Sequence, residues 1–181
     1  RRGSGTFVAP KVEKLEQALS LLTSFTEDMA RRGRNVESHW IARGLHAPAP
    51  EEVMALGLGV GDKVARLDRV RSSDGVPLAI ERASLSQVML PDPDQVSDSL
   101  YAVLQARGLR RVRAVRRISA ANLNARGAEL LGVQPGAAGL KIERISYLPS
   151  GKVIEFTRSI YRGDAYDFAV ELKLAPDGER T

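Results

Sequence analysis

Apolar positions recur at helical spacing in several short runs and alternate with polar ones between them. Val12, Leu15, Ala18, Leu19 and Leu22 predict a helix over 12–22. Ser24-Phe25-Thr26-Glu27-Asp28-Met29-Ala30-Arg31-Arg32-Gly33 has a hydroxyl cap, an acidic first turn, a basic last turn and a closing glycine, which together define a short helix. Glu37 to Gly44 reads as a strand, and Pro50 to Leu56 as a helix that opens on proline and two glutamates. A helix from Ser99 to Ala106 ending at Gly108, an alternating basic strand from Val112 to Ile118 and a helix from Ala125 to Leu131 complete the middle of the chain.

The chain also repeats itself. Leu56-Gly57-Leu58, Gly61, Leu67-Asp68-Arg69-Val70, Gly75 and Arg82 match Leu131-Gly132-Val133, Gly136, Ile142-Glu143-Arg144-Ile145, Gly151 and Arg158. Each copy reads as a helix end, a glycine turn, a strand, a hairpin turn (Ser73-Asp74-Gly75 or Pro149-Ser150-Gly151) and a second strand. Two related hairpin units with interleaved helices predict an α+β fold, with a largely antiparallel β-sheet and flanking helices. Strict alternation places Leu78 and Ile80 on one side of their strand and Ala79 and Glu81 on the other. The same rule puts Ile154 and Phe156 together, with Glu155 and Thr157 opposite.

Composition narrows the chemistry. The 181 residues are 43% hydrophobic and 27% charged, and no apolar run approaches the ~20 residues of a membrane-spanning helix, so no membrane association is expected. Absence of cysteine removes thiol catalysis and thiolate metal sites and is compatible with a cytoplasmic location. His39 and His46 are the only histidines, so neither a metal centre nor a Ser-His-Asp triad is expected, nor any cofactor. Gly57-Leu58-Gly59-Val60-Gly61 follows a helix rather than a strand and is not a dinucleotide turn. A net charge of +5, mostly arginine, favours anionic partners such as phosphorylated metabolites or nucleic acid.

Within that charge, Arg69 and Arg71 lie on one strand face beside Leu67, about 7 Å apart along the strand, a spacing that suits one anion held by both. The starts of the helices at Ser24-Phe25-Thr26 and at Ser99 offer backbone donors, although capping is the commoner use of such hydroxyls. Glu81 and Glu155 bring two carboxylates toward one cavity, for hydrogen bonds to hydroxyls, for acid–base work, or simply for pairing with Arg82 and Arg158. Tyr101 and Tyr161 add hydroxyls or stacking faces. Trp40 is expected in the core and His39 on the surface.

Taken in order, Gly3 to Val8, Ser24 to Met29, Arg69 to Glu81, Ser99-Leu100-Tyr101 and Glu155 through Tyr166 resemble the effector-binding UTRA domain of GntR-type transcriptional regulators of the HutC subfamily. That fold is similar to chorismate lyase, and the likeness is greatest to members that respond to amino-sugar phosphates. The resemblance implies a phosphate held by Ser24, Phe25, Thr26, Arg69, Arg71, Ser99 and Tyr101, and a sugar ring contacted by Glu81, Glu155 and Tyr161. It implies no catalytic residue.

The same resemblance makes residues 1–10 the end of a winged helix-turn-helix wing plus linker, 11–175 the effector domain and 176–181 a tail. Operator DNA would be bound through an N-terminal domain absent from this chain, in a homodimer that acts as a repressor. Effector binding is expected to order the helix at 24–33 and reorient the tether at 6–22. The competing expectations are an enzyme on the same scaffold that uses Glu81 and Glu155, a regulator that responds to a non-phosphorylated carboxylate, and a dimerisation module that binds no ligand.

Overall fold

The computed structural model describes residues 15–18, 23–97 and 99–169. The first half runs β1 (Leu15–Ala18), α1 (Phe25–Arg31), β2 (Val36–His46), α2 (Pro50–Leu56), β3 (Val64–Ser73) and β4 (Val76–Ser86). The second runs α3 (Leu100–Ala106), β5 (Arg113–Asn122), α4 (Ala125–Leu131), β6 (Ala138–Tyr147), β7 (Val153–Arg162) and β8 (Tyr166–Ala169). Strands β2 to β7 form one antiparallel six-stranded sheet in the order β2-β3-β4-β7-β6-β5, while β1 and β8 pair in parallel. This is the expected α+β architecture.

The duplication extends beyond the hairpins, because α1-β2-α2-β3-β4 recurs as α3-β5-α4-β6-β7. Helices α2 and α4 end alike, on Gly57 (φ 64°) and Gly132 (φ 65°), in the left-handed region that costs glycine least. The β3–β4 turn places Asp74 (φ 50°) and Gly75 (φ 76°) in the same region, as a two-residue hairpin turn requires. At the seam between the halves Arg82 of β4 faces Arg158 of β7, its counterpart in the repeat. The sheet is therefore symmetric in order about a pseudo-twofold axis at its centre.

Both faces of the sheet are covered. On one face Ala65, Leu67, Ala83 and Leu85 pack with Leu100 and Leu104 of α3, and Ala79 and Tyr161 pack with Phe25 and Met29 of α1. On the other, Ala128 and Leu131 of α4 meet Val70, and Leu56 of α2 meets Val64 and Phe156.

Three local expectations are corrected. Leu15–Ala18 is a strand rather than part of a helix, its backbone committed to pairing with Tyr166–Ala169; the remainder of 12–22, like the stretch from Gly3 to Val8, lies outside the described residues. Leu78 does not share a side with Ile80: it packs with Phe25 and Met29, whereas Ile80 packs with Leu123 and Ala128. Ile154 and Phe156 separate in the same way. The cause is a pair of irregularities at matching places, between Arg71 and Ser72 and between Ser146 and Tyr147, which break strict alternation near the hairpin ends. Glu81 accordingly shares the heavily buried face of Ala79 and Ala83, not an outward one.

One position shows how the copies diverged. Glu52 of α2 is fully buried, accepting hydrogen bonds from Arg66 Nε (3.0 Å) and Nη2 (2.5 Å), Ser84 Oγ (2.7 Å) and the Ala49 N–H (2.8 Å). Its counterpart in α4 is Gly127, where an added Cβ would meet Leu123 at 3.3 Å and Ile80 at 3.7 Å, so α4 sits directly on the sheet. Replacing Glu52 with alanine strands Arg66 and Ser84, and we expect a loss of about 3–5 kcal/mol, read as a lower urea midpoint by circular dichroism.

Candidate functional site

Because β3 alternates regularly here, Arg69 and Arg71 both enter the face covered by α1 and α3, where they are 5% and 1% exposed. This is not an exposed cationic strand. Cross-strand register places Trp40 and Glu81 on either side of Arg69, and Ser38 and Ala79 on either side of Arg71. Arg69 donates to Glu81 Oε1 through Nε (2.8 Å) and Nη2 (2.6 Å), and its guanidinium lies 5.3 Å from the centre of the Trp40 ring. Arg71 donates to the Ser38 hydroxyl and the Thr26 hydroxyl, both at 2.5 Å, and stacks on Phe25 at 4.9 Å. His39, next to Trp40, is exposed as expected.

The second half supplies the opposite wall. Glu155 is buried and accepts from the Tyr101 hydroxyl on both oxygens (3.0 and 2.7 Å), from Ser146 Oγ (3.1 Å) and from Arg144 Nη2 (3.4 Å). Arg144 also donates to the Tyr101 hydroxyl and to Thr157 Oγ1 (3.3 Å). Tyr161 completes an aromatic group with Phe25, Tyr166 and Phe168. The alternative pairings of the glutamates are not formed: Arg82 engages Asp68, and Arg158 engages Glu51.

Ser24 and Ser99 are helix caps. Ser24 Oγ accepts from the Glu27 N–H (3.0 Å) while Glu27 accepts from the Ser24 N–H (2.7 Å), and Ser99 Oγ accepts from the Ala102 N–H (3.3 Å). Each serine hydroxyl oxygen accepts in its cap, and its O–H remains a donor. Helix α1 is formed in this structure.

All ten candidate residues but Tyr161 line one enclosed void of about 10 Å³, and Tyr161 lines an adjoining void of about 20 Å³ that shares Phe25, Glu81 and Arg144. Each has room for about one water molecule. Most polar groups here satisfy one another, with the Nε of Arg144 and the Nη1 of Arg116 as exceptions, so a larger molecule must exchange contacts with them. Two wider hollows exist: one of about 710 Å³ beside Tyr101, Arg110 and Arg111, and one of about 440 Å³ on the opposite sheet face beside α4. Among the described residues no cluster of His, Asp or Glu is arranged to hold a metal ion, and no helix is long and apolar enough to cross a membrane.

Electrostatics set the protonation of the site. Burial pushes the Glu81 carboxyl up, but the charges of Arg69 and Arg71 and the Arg69 hydrogen bonds outweigh it and hold the group down at about 2. Burial, with the Glu81 charge beside it, pushes the Tyr161 phenol up to about 12. Tyr101 is also pushed up, first by burial and then by Glu155, so both phenols stay protonated donors at neutral pH.

Sequence reasoning missed Arg144, Arg111, Ser38, Ser146 and Thr157. Arg144 was within reach, since it is the repeat counterpart of Arg69. Arg111, stacked 3.4 Å from the Tyr101 ring centre and 3.1 Å from Glu27, sits in a basic run with no local signal of its role.

Residues 31–167 match the model of the UTRA domain. The chain belongs to the UTRA-domain family. Among relatives, this UTRA domain is 34% identical over 170 residues to the HTH-type transcriptional repressor NagR of Bacillus subtilis, covering 92% of this chain and 69% of that protein. It is 35% identical over 173 residues to the HTH-type transcriptional repressor PhnF of Mycolicibacterium smegmatis, covering 93% and 69%. The crystal structure of the effector domain of PhnF superposes with a TM-score of 0.82 at 31% identity, over 88% of this chain and 100% of that one. The chain is thus an effector domain of the GntR type, as the sequence resemblance implied.

The depressed Glu81 carboxyl has a stability consequence. Its pairing stabilises the UTRA domain fully above about 4.5 and is lost as pH falls toward about 2. Glu81→Gln is expected to cost about 3–5 kcal/mol at neutral pH. It should also flatten the acid limb of the urea midpoint measured against pH, in which Trp40 emission reports the site directly.

Proposed function

We infer that this chain is the effector-sensing part of a DNA-binding transcriptional repressor, and that it binds a small phosphorylated sugar of the amino-sugar phosphate kind. The observation that carries the reading is the side-by-side burial of Arg69 and Arg71, with the Thr26 and Ser38 hydroxyls on Arg71 and the carboxylates of Glu81 and Glu155 further along the same face. Guanidinium forks and hydroxyl donors suit a phosphate dianion. Two carboxylates suit sugar hydroxyls or an ammonium group. In this reading Ser24, Phe25, Thr26, Arg69, Arg71, Ser99 and Tyr101 take the phosphate, and Glu81, Glu155 and Tyr161 take the ring. Both relatives, NagR and PhnF, are transcriptional repressors, which supports the regulatory half of the reading.

Binding proceeds by exchange. The phosphate takes the donors that Arg71 now spends on Thr26 and Ser38, and the ring takes the acceptors that Glu155 now offers to Tyr101. Thr26 belongs to α1, so the exchange shifts that helix relative to the sheet. A ligand changes DNA binding only through unequal affinity for the two resulting states. The partners in this proposal are operator DNA, contacted by a winged-helix domain outside this chain, and a second copy of the protein, in the cytoplasm.

An enzyme is the weaker reading. Glu81, held near 2, is a poor general acid at neutral pH, whereas glycosidic acid–base pairs need one raised carboxyl. Incubation of an amino-sugar phosphate with the chain should return it unchanged, and turnover lost in Glu155→Gln would contradict the sensor reading.

In a thermal-shift series an amino-sugar phosphate near 100 times its dissociation constant should add about 2.7 kcal/mol of stability. Arg71→Gln should remove that gain, and Thr26→Val should reduce it. A gain that survives Arg71→Gln would overturn the phosphate assignment.

A further inference from the structure

The two halves of the sheet treat equivalent arginines differently. In the first half the cross-strand neighbour of Arg69 is Trp40, whose ring faces the cation. In the second half the equivalent arginine, Arg144, has Arg116 as its cross-strand neighbour, on the same face of the sheet. Two guanidinium groups directly opposite each other repel. Arg116 makes no ion pair among the described residues, and its Nη1 is buried without a hydrogen-bond partner. The Nε of Arg144 is likewise buried and without a partner, although Glu155 and Thr157 occupy its Nη2. Burial and the charge of Arg144 both push Arg116 toward losing its proton.

Both arginines, with Thr157, Ser159 and Tyr161, line the void of about 20 Å³ that adjoins the proposed phosphate site and shares Glu81 and Phe25 with it. The void holds neutral donors and two cations. Its one carboxylate, Glu81, is already engaged by Arg69. From β3 to β6 the sheet spans three strand spacings, about 14 Å between backbones; the Arg144 side chain reaches back to line the void of Arg69 and Arg71 as well, so it joins the two voids, and Arg116 marks the far end.

We propose that Arg116 and Arg144 form a second anion-binding pole, which takes a carboxylate at the end of the effector opposite its phosphate. This rests on the phosphate reading of Arg69 and Arg71 for the other end of the molecule. The effector is then a doubly anionic compound, a phosphorylated sugar acid, whose hydroxyls or amine lie between the poles on Glu81 and Glu155. A carboxylate there supplies acceptors to the two idle N–H groups and relieves the repulsion between the arginines. The ligand-free protein tolerates that repulsion as strain kept for binding.

The test is calorimetric titration of the whole chain with glucosamine phosphate, glucosaminic acid phosphate, unphosphorylated glucosaminic acid and inorganic phosphate, repeated with Arg116→Gln and Arg116→Lys. The acid phosphate should bind about tenfold tighter than glucosamine phosphate, since charge-assisted hydrogen bonds are worth at least that ratio. Arg116→Gln should bring the two within about twofold, and Arg116→Lys should restore part of the gap. Arg116→Gln should also melt no lower than the parent without ligand, because it removes a like-charge contact. Equal affinity of the parent for both phosphates, or a preference that persists in Arg116→Gln, overturns the proposal. If no phosphate compound binds but glucosaminic acid does, in a manner lost with Arg116→Gln, the phosphate reading fails and the second pole stands. If glucosaminic acid also fails to bind, both fall.

Discussion

A guanidinium leaves water only when other groups take over its hydrogen bonds and its charge, and this sheet buries two of them, Arg69 and Arg71, and most of a third, Arg144, on one face. Much else in the molecule follows from that constraint. Glu81 and Glu155 are buried because the arginines need them, Tyr101, Thr26, Ser38 and Thr157 accept the remaining guanidinium hydrogen bonds, and Ser146 donates to Glu155. The helices that close over this face carry the Thr26 and Tyr101 hydroxyls in their first turns. The result is a polar network inside an otherwise apolar layer, stable as it stands, yet built from donors and acceptors that a suitable anion can claim.

Duplication explains how such a network arises within one chain. Two copies of a helix–strand–helix–hairpin unit meet along β4 and β7, so equivalent positions approach the same central space from opposite sides. Arg69 and Arg144 are the surviving trace of that symmetry. Their surroundings have diverged: Arg69 has Trp40 and Glu81 as neighbours, whereas Arg144 has Arg116 and Thr157. A symmetric scaffold with asymmetric walls makes the two adjoining voids differ in their lining.

Much of this was legible in the sequence because the relevant signals are local. Capping residues set α1 and α3, a proline and two glutamates open α2, glycines set the ends of α2 and α4, and the repeated Leu-Gly and Arg spacing disclosed the paired hairpins. The strand face of Arg69 and Arg71 followed from alternation alone, though not its burial, which depends on what α1 and α3 bring over it. The errors came where tertiary pairing or irregular register overrides local pattern. Leu15–Ala18 has helical spacing yet pairs with β8, and the matching irregularities at Arg71/Ser72 and Ser146/Tyr147 turn Leu78 and Ile154 to the opposite face. Ser38 and Ser146 carried no signal, since a serine in a strand is unremarked until a charged side chain from the next strand reaches it, Arg71 for Ser38 and Glu155 for Ser146.

The central claim is that the buried arginines of β3 hold a phosphate dianion. Phosphorus NMR of an amino-sugar phosphate mixed with the chain, followed through its second ionisation, tests this directly. The account predicts a distinct bound resonance whose ionisation lies below that of the free ester, because Arg69 and Arg71 favour the doubly charged form. A resonance that titrates in the presence of the protein as it does in water would contradict it.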